Sequence, residues 1–200
     1  MLEREGVALP EVDILAVGIG PGSFTGLRVG IATMQGLAMA LNRPLFGISA
    51  FDALASLAYG GSGANNEPDP PHVHPNGRLD PPHRYVATWV DAWRGEVYAA
   101  LYRNGREIEP PTVDLPQHLL QIFVGRPVIF TGDGAAIYRA TISAALGTHA
   151  EFSEPVAPLL AGAMATLAVQ EFRAGQRPLP HAIRPLYVRR SDAELARDRS

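Results

Sequence analysis

Two hundred residues, 46% hydrophobic and 18% charged, make one large domain or two small ones, and no apolar run approaches the ~20 residues of a membrane-spanning helix. The formal net charge of -3 gives no whole-chain attraction to nucleic acid. The chain has no cysteine, which excludes disulfides, thiolate nucleophiles and cysteine-ligated zinc, and its 17 basic residues are all arginines, which excludes a phosphate-loop or Schiff-base lysine.

The first residues, MLEREGVAL, read as the tail of a helix ending near Gly6. Nothing there has the basic-then-apolar texture of a secretory leader, so the expected location is the cytoplasm. Ile14 to Val17 reads as a short buried strand. A glycine-rich turn follows, and then Met34, Leu37, Ala38 and Leu41 repeat with helical spacing, which predicts a helix over Thr25 to Leu41, stopped by Asn42-Arg43-Pro44. Leu45 to Ile48 is a second strand, and Ser49-x-x-Asp52 reads as a capping box opening a helix to about Leu57.

Residues 59–84 have a different texture, rich in Pro, Gly, Asn, Asp and His, and read as an insertion or long loop. Regular structure resumes at Tyr85. RYVATWVDAWRGEVYAALYR predicts a hairpin that turns near Trp93-Arg94-Gly95, and Asn104-Gly105 a second tight turn. Asp114 is the expected N-cap of a short helix with Pro116 in its first turn. Val128 to Phe130 is a strand, Gly132-Asp133-Gly134 opens a helix to about Leu146, and Ala157 to Ala174 is a helix ended by Gly175. The expected organisation is 1–58, the insertion at 59–84, 85–190, and a frayed tail at 191–200. Strands alternating with helices around one long hairpin predict an α/β fold with a mixed sheet.

GIGPGSFTG fits none of the common phosphate-binding or nucleophile turns. The Walker loop needs a lysine; the dinucleotide fingerprint needs glycine where Ser23 or Thr25 stands; the nucleophile elbow needs glycines where Pro21 and Thr25 flank Ser23. Gly20 and Gly22 can take positive φ, and Ser23 or Thr25 can cap the helix that follows. Gly26, Gly30 and Gly36 lie inside that helix, where glycine costs ~1 kcal/mol relative to alanine. Close approach of another helix or backbone is the expected compensation. Spacing alone leaves two readings open: a tightly packed internal turn, or an interface or anion site at the helix N-terminus.

GIGPGSFTGLRVGIATMQGLA closely resembles the signature of the TsaB (YeaZ) family of tRNA threonylcarbamoyladenosine biosynthesis proteins. VDAWRGEVYAALY is similar to that family's Asp-Ala-Arg-x-Gly-Glu-Val-Tyr hairpin, FTGDGA to its Gly-Asp-Gly segment and RPLYVRR to its Pro-x-Tyr-x-Arg tail. The resemblance runs from about Glu3 to Arg190, interrupted by the insertion. It implies an α/β fold of the actin-like ATPase (ASKHA, ribonuclease H-like) type, with mixed sheets flanked by helices. It implies a subunit that does no chemistry alone, neither peptidase nor kinase, with no cofactor and no metal. The implied partners are the catalytic subunit TsaD and the ATPase TsaE, with tRNA reached only through the complex, or a second copy through N-terminal helices. Gly20, Pro21, Gly22, Ser23, Thr25, Gly26, Arg28 and Gly30 then shape the turn and helix that face the partner. Asp91, Arg94, Gly95 and Glu96 form a second motif, for which the resemblance implies a partner-facing or architectural role, the plain alternative being a solvated turn with a salt bridge under ~1 kcal/mol.

The catalytic sister family carries His-x-x-x-His after the equivalent helix; aligned by that helix and Pro44, Ala50 and Leu54 stand at those positions here, and neither binds metal. Members of the resembled family open with further strands and a first helix, so the N-terminal subdomain is expected to be incomplete. The alternatives are a free-standing actin-like ATPase or phosphotransferase, and a truncated homologue without function. His72, His74 and His83 fall in the insertion and read as solvated rather than metal-binding. Asp133 reads as an N-cap, and Trp89 and Trp93 as packing residues.

Overall fold

The computed structural model describes residues 2–60 and 85–189. They form two compact units. One comprises the described residues up to Ala53 together with Leu160–Tyr187; the other comprises those between Leu54 and Leu159 together with 188–189.

In the first unit, β1 (Leu15–Gly20) and β2 (Leu45–Ser49) pair in parallel, from Leu15 opposite Leu45 to Gly18 opposite Ile48, with a register shift before Gly20 meets Ser49. Parallel partners need a crossover connection, and α1 (Phe24–Leu41) supplies it. Side chains then divide with the two-residue period of a strand. Leu15, Val17 and Leu45 pack with Ala38, Met34 and Leu41 of α1. Ile14, Ala16, Phe46 and Ile48 pack with Met164, Leu167, Ala168 and Phe172. The latter four belong to α6 (Ala161–Arg173), which begins later than its apolar pattern suggested. Asn42 closes α1 at φ 51, a left-handed conformation that asparagine tolerates, with its amide bonded to Ala38 O. The chain start is a single 3-10 turn, Leu2–Glu5, rather than the end of an α-helix. α2 (Ala50–Ala58) begins in this unit and ends in the other, and Ser49 Oγ accepts from the Phe51 amide at 3.0 Å.

The second unit is a five-stranded mixed sheet of order β5-β4-β3-β6-β7. β3 (Tyr85–Asp91) and β4 (Val97–Arg103) form the expected hairpin, and β5 (Arg106–Asp114) is antiparallel to β4. β6 (Val128–Thr131) and β7 (Ala150–Phe152) extend the sheet in parallel with β3. Asn104 and Gly105 both have positive φ, 52 and 71, as a two-residue hairpin turn requires. Trp89 and Phe130 are fully buried and meet edge to face at 5.3 Å; Phe123 meets Phe130 at 5.6 Å. Leu120 of α3 (Pro116–Leu120) and Ile142 of α5 (Arg139–Leu146) pack on this group.

Three local expectations are corrected. Leu115, not Asp114, is the N-cap of α3; Asp114 Oδ1 accepts the Leu115 amide at 2.7 Å and faces His118 Nδ1 at 2.9 Å. Those two hydrogen bonds, the backbone one first, hold the Asp114 carboxyl below its ordinary value. The helix predicted from Asp133 to Leu146 is broken at Tyr138 into α4 (Asp133–Ile137) and α5. Asp133 is the first residue of α4 rather than its cap, a place taken by Gly132.

Gly132 has φ 108, and a Cβ there would lie 2.1 Å from Trp89 O. Replacing it with alanine adds backbone strain to a clash with main chain that cannot swing aside. Gly132→Ala is expected to lower the unfolding free energy by about 3 kcal/mol or more in urea titration, or to prevent folding.

Glu171 of α6 has a carboxyl pushed above its ordinary 4.5, by burial first and by the Asp52 charge second. A raised folded pKa means that this group favours the fold in its protonated form, and the contribution is lost as pH rises through the folded value. Glu171→Gln should therefore raise the thermal midpoint at neutral pH and leave it unchanged at acid pH well below 4.5.

Candidate functional site

The signature turn joins β1 to α1. Gly20 has φ 120, and a Cβ on it would lie 3.0 Å from Leu186 O and 3.1 Å from Leu27 Cδ1, so the position needs glycine on both counts. Gly22 lies outside the left-handed region, contrary to expectation. Pro21 is buried. Ser23 is the N-cap, its Oγ accepting the Gly26 amide at 3.3 Å, and Thr25 is exposed and plays no such part. The Ser23 hydroxyl and the Ser23 carbonyl, which accepts the Leu27 amide at 2.8 Å, both serve the helix start.

Among the described residues the glycines of α1 meet no other helix or strand. A Cβ on Gly26 would meet only Ser23, at 3.4 Å, and one on Gly30 or Gly36 would meet nothing within 4 Å. The expected close approach of another helix or backbone is absent among the described residues. Of 18 residues in α1, Ile31 and Ala38 are buried. Gly26, Val29, Ala32, Thr33, Gly36 and Ala40 recur at helical spacing on the opposite side and are all exposed. Val29 is 61% exposed and neighbouring Met39 64%. Thr33 turns its hydroxyl to Val29 O at 2.8 Å, so it adds no free polar group to the face. The face carries no charge; Arg28, at its edge, is the one charged residue of α1.

The second motif is a turn in the other unit. Trp93, Arg94 and Gly95 have φ 54, 56 and 80, two of them side-chain-bearing residues held in a left-handed conformation. The turn is fastened by Ala92 N to Glu96 O at 3.1 Å, Glu96 N to Trp93 O at 3.1 Å and Trp93 N to Asp91 Oδ1 at 3.3 Å. The Asp91 amide donates to Asp133 Oδ1 at 3.0 Å, and the same oxygen accepts the Gly134 amide at 2.8 Å. Glu96 pairs with Arg189, which also donates to Ala92 O at 3.2 Å and lies over the Tyr98 ring. Trp93 is 57% exposed at the tip and is not a packing residue, whereas Trp89 is.

The family model of TsaD, tRNA N6-adenosine threonylcarbamoyltransferase, matches residues 1–197. The chain belongs to that family. Similar curated proteins include TsaB, the tRNA threonylcarbamoyladenosine biosynthesis protein of Escherichia coli, 35% identical over 52% of this chain and 37% of its own length. An uncharacterised Mycobacterium leprae protein is 32% identical over 94% of this chain and 41% of its own. The chain thus spans about two-fifths of the length of these relatives. A Pseudomonas aeruginosa crystal structure, of a protein described as similar to peptidase YeaZ, superposes with TM-score 0.66 at 29% identity over 94% of this chain and 79% of that one. Within the family the similarity is to the TsaB (YeaZ) members, and the fold is the actin-like α/β one.

The structure gathers Gly20, Pro21, Gly22, Ser23, Thr25, Gly26, Arg28 and Gly30 on one turn and one helix, and Asp91, Arg94, Gly95 and Glu96 on one hairpin tip. Among the described residues no three His, Cys, Asp or Glu side chains are grouped to hold a metal ion; His72, His74 and His83 lie outside those residues. No helix among the described residues is long and apolar enough to cross a membrane. Two partners were missed from the sequence: Tyr187 for Arg28, and Arg189 for Glu96. The RPLYVRR segment that carries both was visible, but no local pattern links it to residues so distant.

The Glu96–Arg189 pair is mostly shielded, with side chains 32% and 22% exposed. Arg189→Met is expected to lower stability by about 1–2 kcal/mol in chemical denaturation and to speed amide exchange in the 92–96 turn.

Proposed function

We propose that this chain is a non-catalytic accessory subunit of the machinery that transfers a threonylcarbamoyl group to adenosine in tRNA, and that it works by docking on TsaD through α1. The solvent-facing, uncharged side of α1 carries this assignment. An 18-residue helix lined with glycine and small side chains loses intrinsic stability at each glycine and recovers nothing from the described residues of its own chain. A neighbouring helix lying close against Gly26, Gly30 and Gly36 would recover it, since small residues allow backbones to approach. Exposed apolar surface of this kind marks protein contacts. The relatives named for threonylcarbamoyladenosine biosynthesis supply the pathway.

In this scheme TsaE joins the assembled complex, tRNA is met only there, and a second copy can occupy the same helix when TsaD is absent. The complex works in the cytoplasm. The turn at Gly20, Pro21, Gly22 and Ser23 fixes the angle at which α1 leaves β1. Asp91, Arg94, Gly95 and Glu96 keep the hairpin tip in shape.

The test separates docking from folding by sign. Gly30→Leu replaces a poor helix former with a good one in open space, so the isolated chain should gain up to about 1 kcal/mol in stability. Gly26→Leu should be near neutral. The double variant should lose co-elution with TsaD from the same organism in size-exclusion chromatography. Undiminished co-elution by a folded double variant would contradict docking through this face.

A further inference from the structure

Arg28 stands out from the rest of α1. Its Nε donates to Tyr187 Oη at 2.8 Å, and its guanidinium lies 3.8 Å from the centre of the Phe24 ring. Phe24 and Tyr187 stack on each other at 5.1 Å, and the guanidinium is 5.8 Å from the Tyr187 ring. An exposed arginine ordinarily samples many rotamers. This one is held by two rings and a hydroxyl, although Phe24 and Tyr187 are themselves 41% and 43% exposed. Among the described residues its two terminal nitrogens meet no acceptor, and no carboxylate pairs with it. The result is a fixed, outward-facing fork of donors, the geometry that suits a carboxylate bidentately.

We infer that Arg28 is a preformed receptor for a carboxylate on a heterologous protein partner, and that it selects that partner over a second copy of this chain. This rests on docking through α1. Arg28 lies one turn from Thr25 and Ala32, at the margin of the uncharged face and on the other side of it from Gly30, so a partner on the face meets the guanidinium with its flank. Position and charge together decide the occupant. α1 contains no Asp or Glu, so an α1-to-α1 dimer offers Arg28 no carboxylate from the facing helix. A nucleic-acid surface would need several cations tracking phosphates, and α1 has this single one. A protein partner with one acidic side chain opposite Arg28 satisfies both the apolar face and the lone charge. Phe24 and Tyr187 are positioning residues, since they limit the rotamer freedom that binding would otherwise remove.

The experiment is calorimetric titration of the chain with TsaD from the same organism at several salt concentrations, beside sedimentation of the chain alone. Arg28→Gln should weaken TsaD binding about tenfold and flatten its salt dependence, while self-association is unchanged. Arg28→Lys should recover only part of the affinity, because it restores charge without the fork. Tyr187→Phe, which removes the acceptor of Nε but keeps the ring and the charge, should weaken binding about two- to threefold with the salt slope retained. If Arg28→Gln binds TsaD with wild-type affinity and salt slope while the Gly26→Leu/Gly30→Leu double variant does not bind, the carboxylate receptor is wrong and docking through α1 survives. If both bind like the wild type, docking through α1 falls with it. Equal weakening of self-association by Arg28→Gln, or loss of RNA binding in place of TsaD binding, would also overturn the assignment.

Discussion

Parallel pairing of β1 with β2 is the constraint on which the first unit depends. Two parallel strands cannot be joined by a tight turn, so the chain must cross over, and α1 is that crossover. Burying Leu15, Val17 and Leu45 fixes which side of α1 turns inward, through Met34, Ala38 and Leu41. The same rotation turns Gly26, Gly36 and their small neighbours outward and leaves Gly30 half-buried at the margin. The bare face is therefore a geometric consequence of the core, and its composition is what calls for explanation. A solvent face would ordinarily carry charged residues; this one carries glycine, alanine, threonine and valine.

The second unit shows how closely backbones can approach when glycine permits it. A Cβ on Gly134 would lie 3.0 to 3.1 Å from main-chain atoms of Trp89, Val90 and Asp91, so the start of α4 rests directly on the end of β3. Asp133 then reaches the Asp91 amide, and the end of β3 leads into the strained turn that presents Trp93. Arg189 fastens that turn from the C-terminal side by three contacts: Glu96, Ala92 O and the Tyr98 ring. Left-handed residues at Trp93 and Arg94 persist because the flanking hydrogen bonds determine the turn more strongly than local preference opposes it.

Much of this was legible in the sequence. Short apolar runs located β1, β2 and the β3–β4 hairpin, and a 3.6-residue period located α1, to within a few residues, because the strands are packed on both sides and α1 on one. The Asn104-Gly105 turn was readable because two consecutive positive φ values leave few residue choices. What escaped was decided by tertiary partners. β7 is three residues long and exists as an edge strand only because β6 lies beside it. The break at Tyr138 has no proline or glycine at that residue to announce it. On α1 the glycines were visible, but local spacing could not say whether they faced inward or outward. Arg28 was visible as a motif residue, while the hydroxyl that holds it lies 159 positions away.

Hydrogen–deuterium exchange of the chain, alone and saturated with TsaD, tests the central claim most directly. Docking through α1 predicts that peptides covering Phe24–Leu41 slow markedly on complex formation, most of all from Gly26 to Gly36. A complex that forms while those peptides exchange as in the free chain would contradict it.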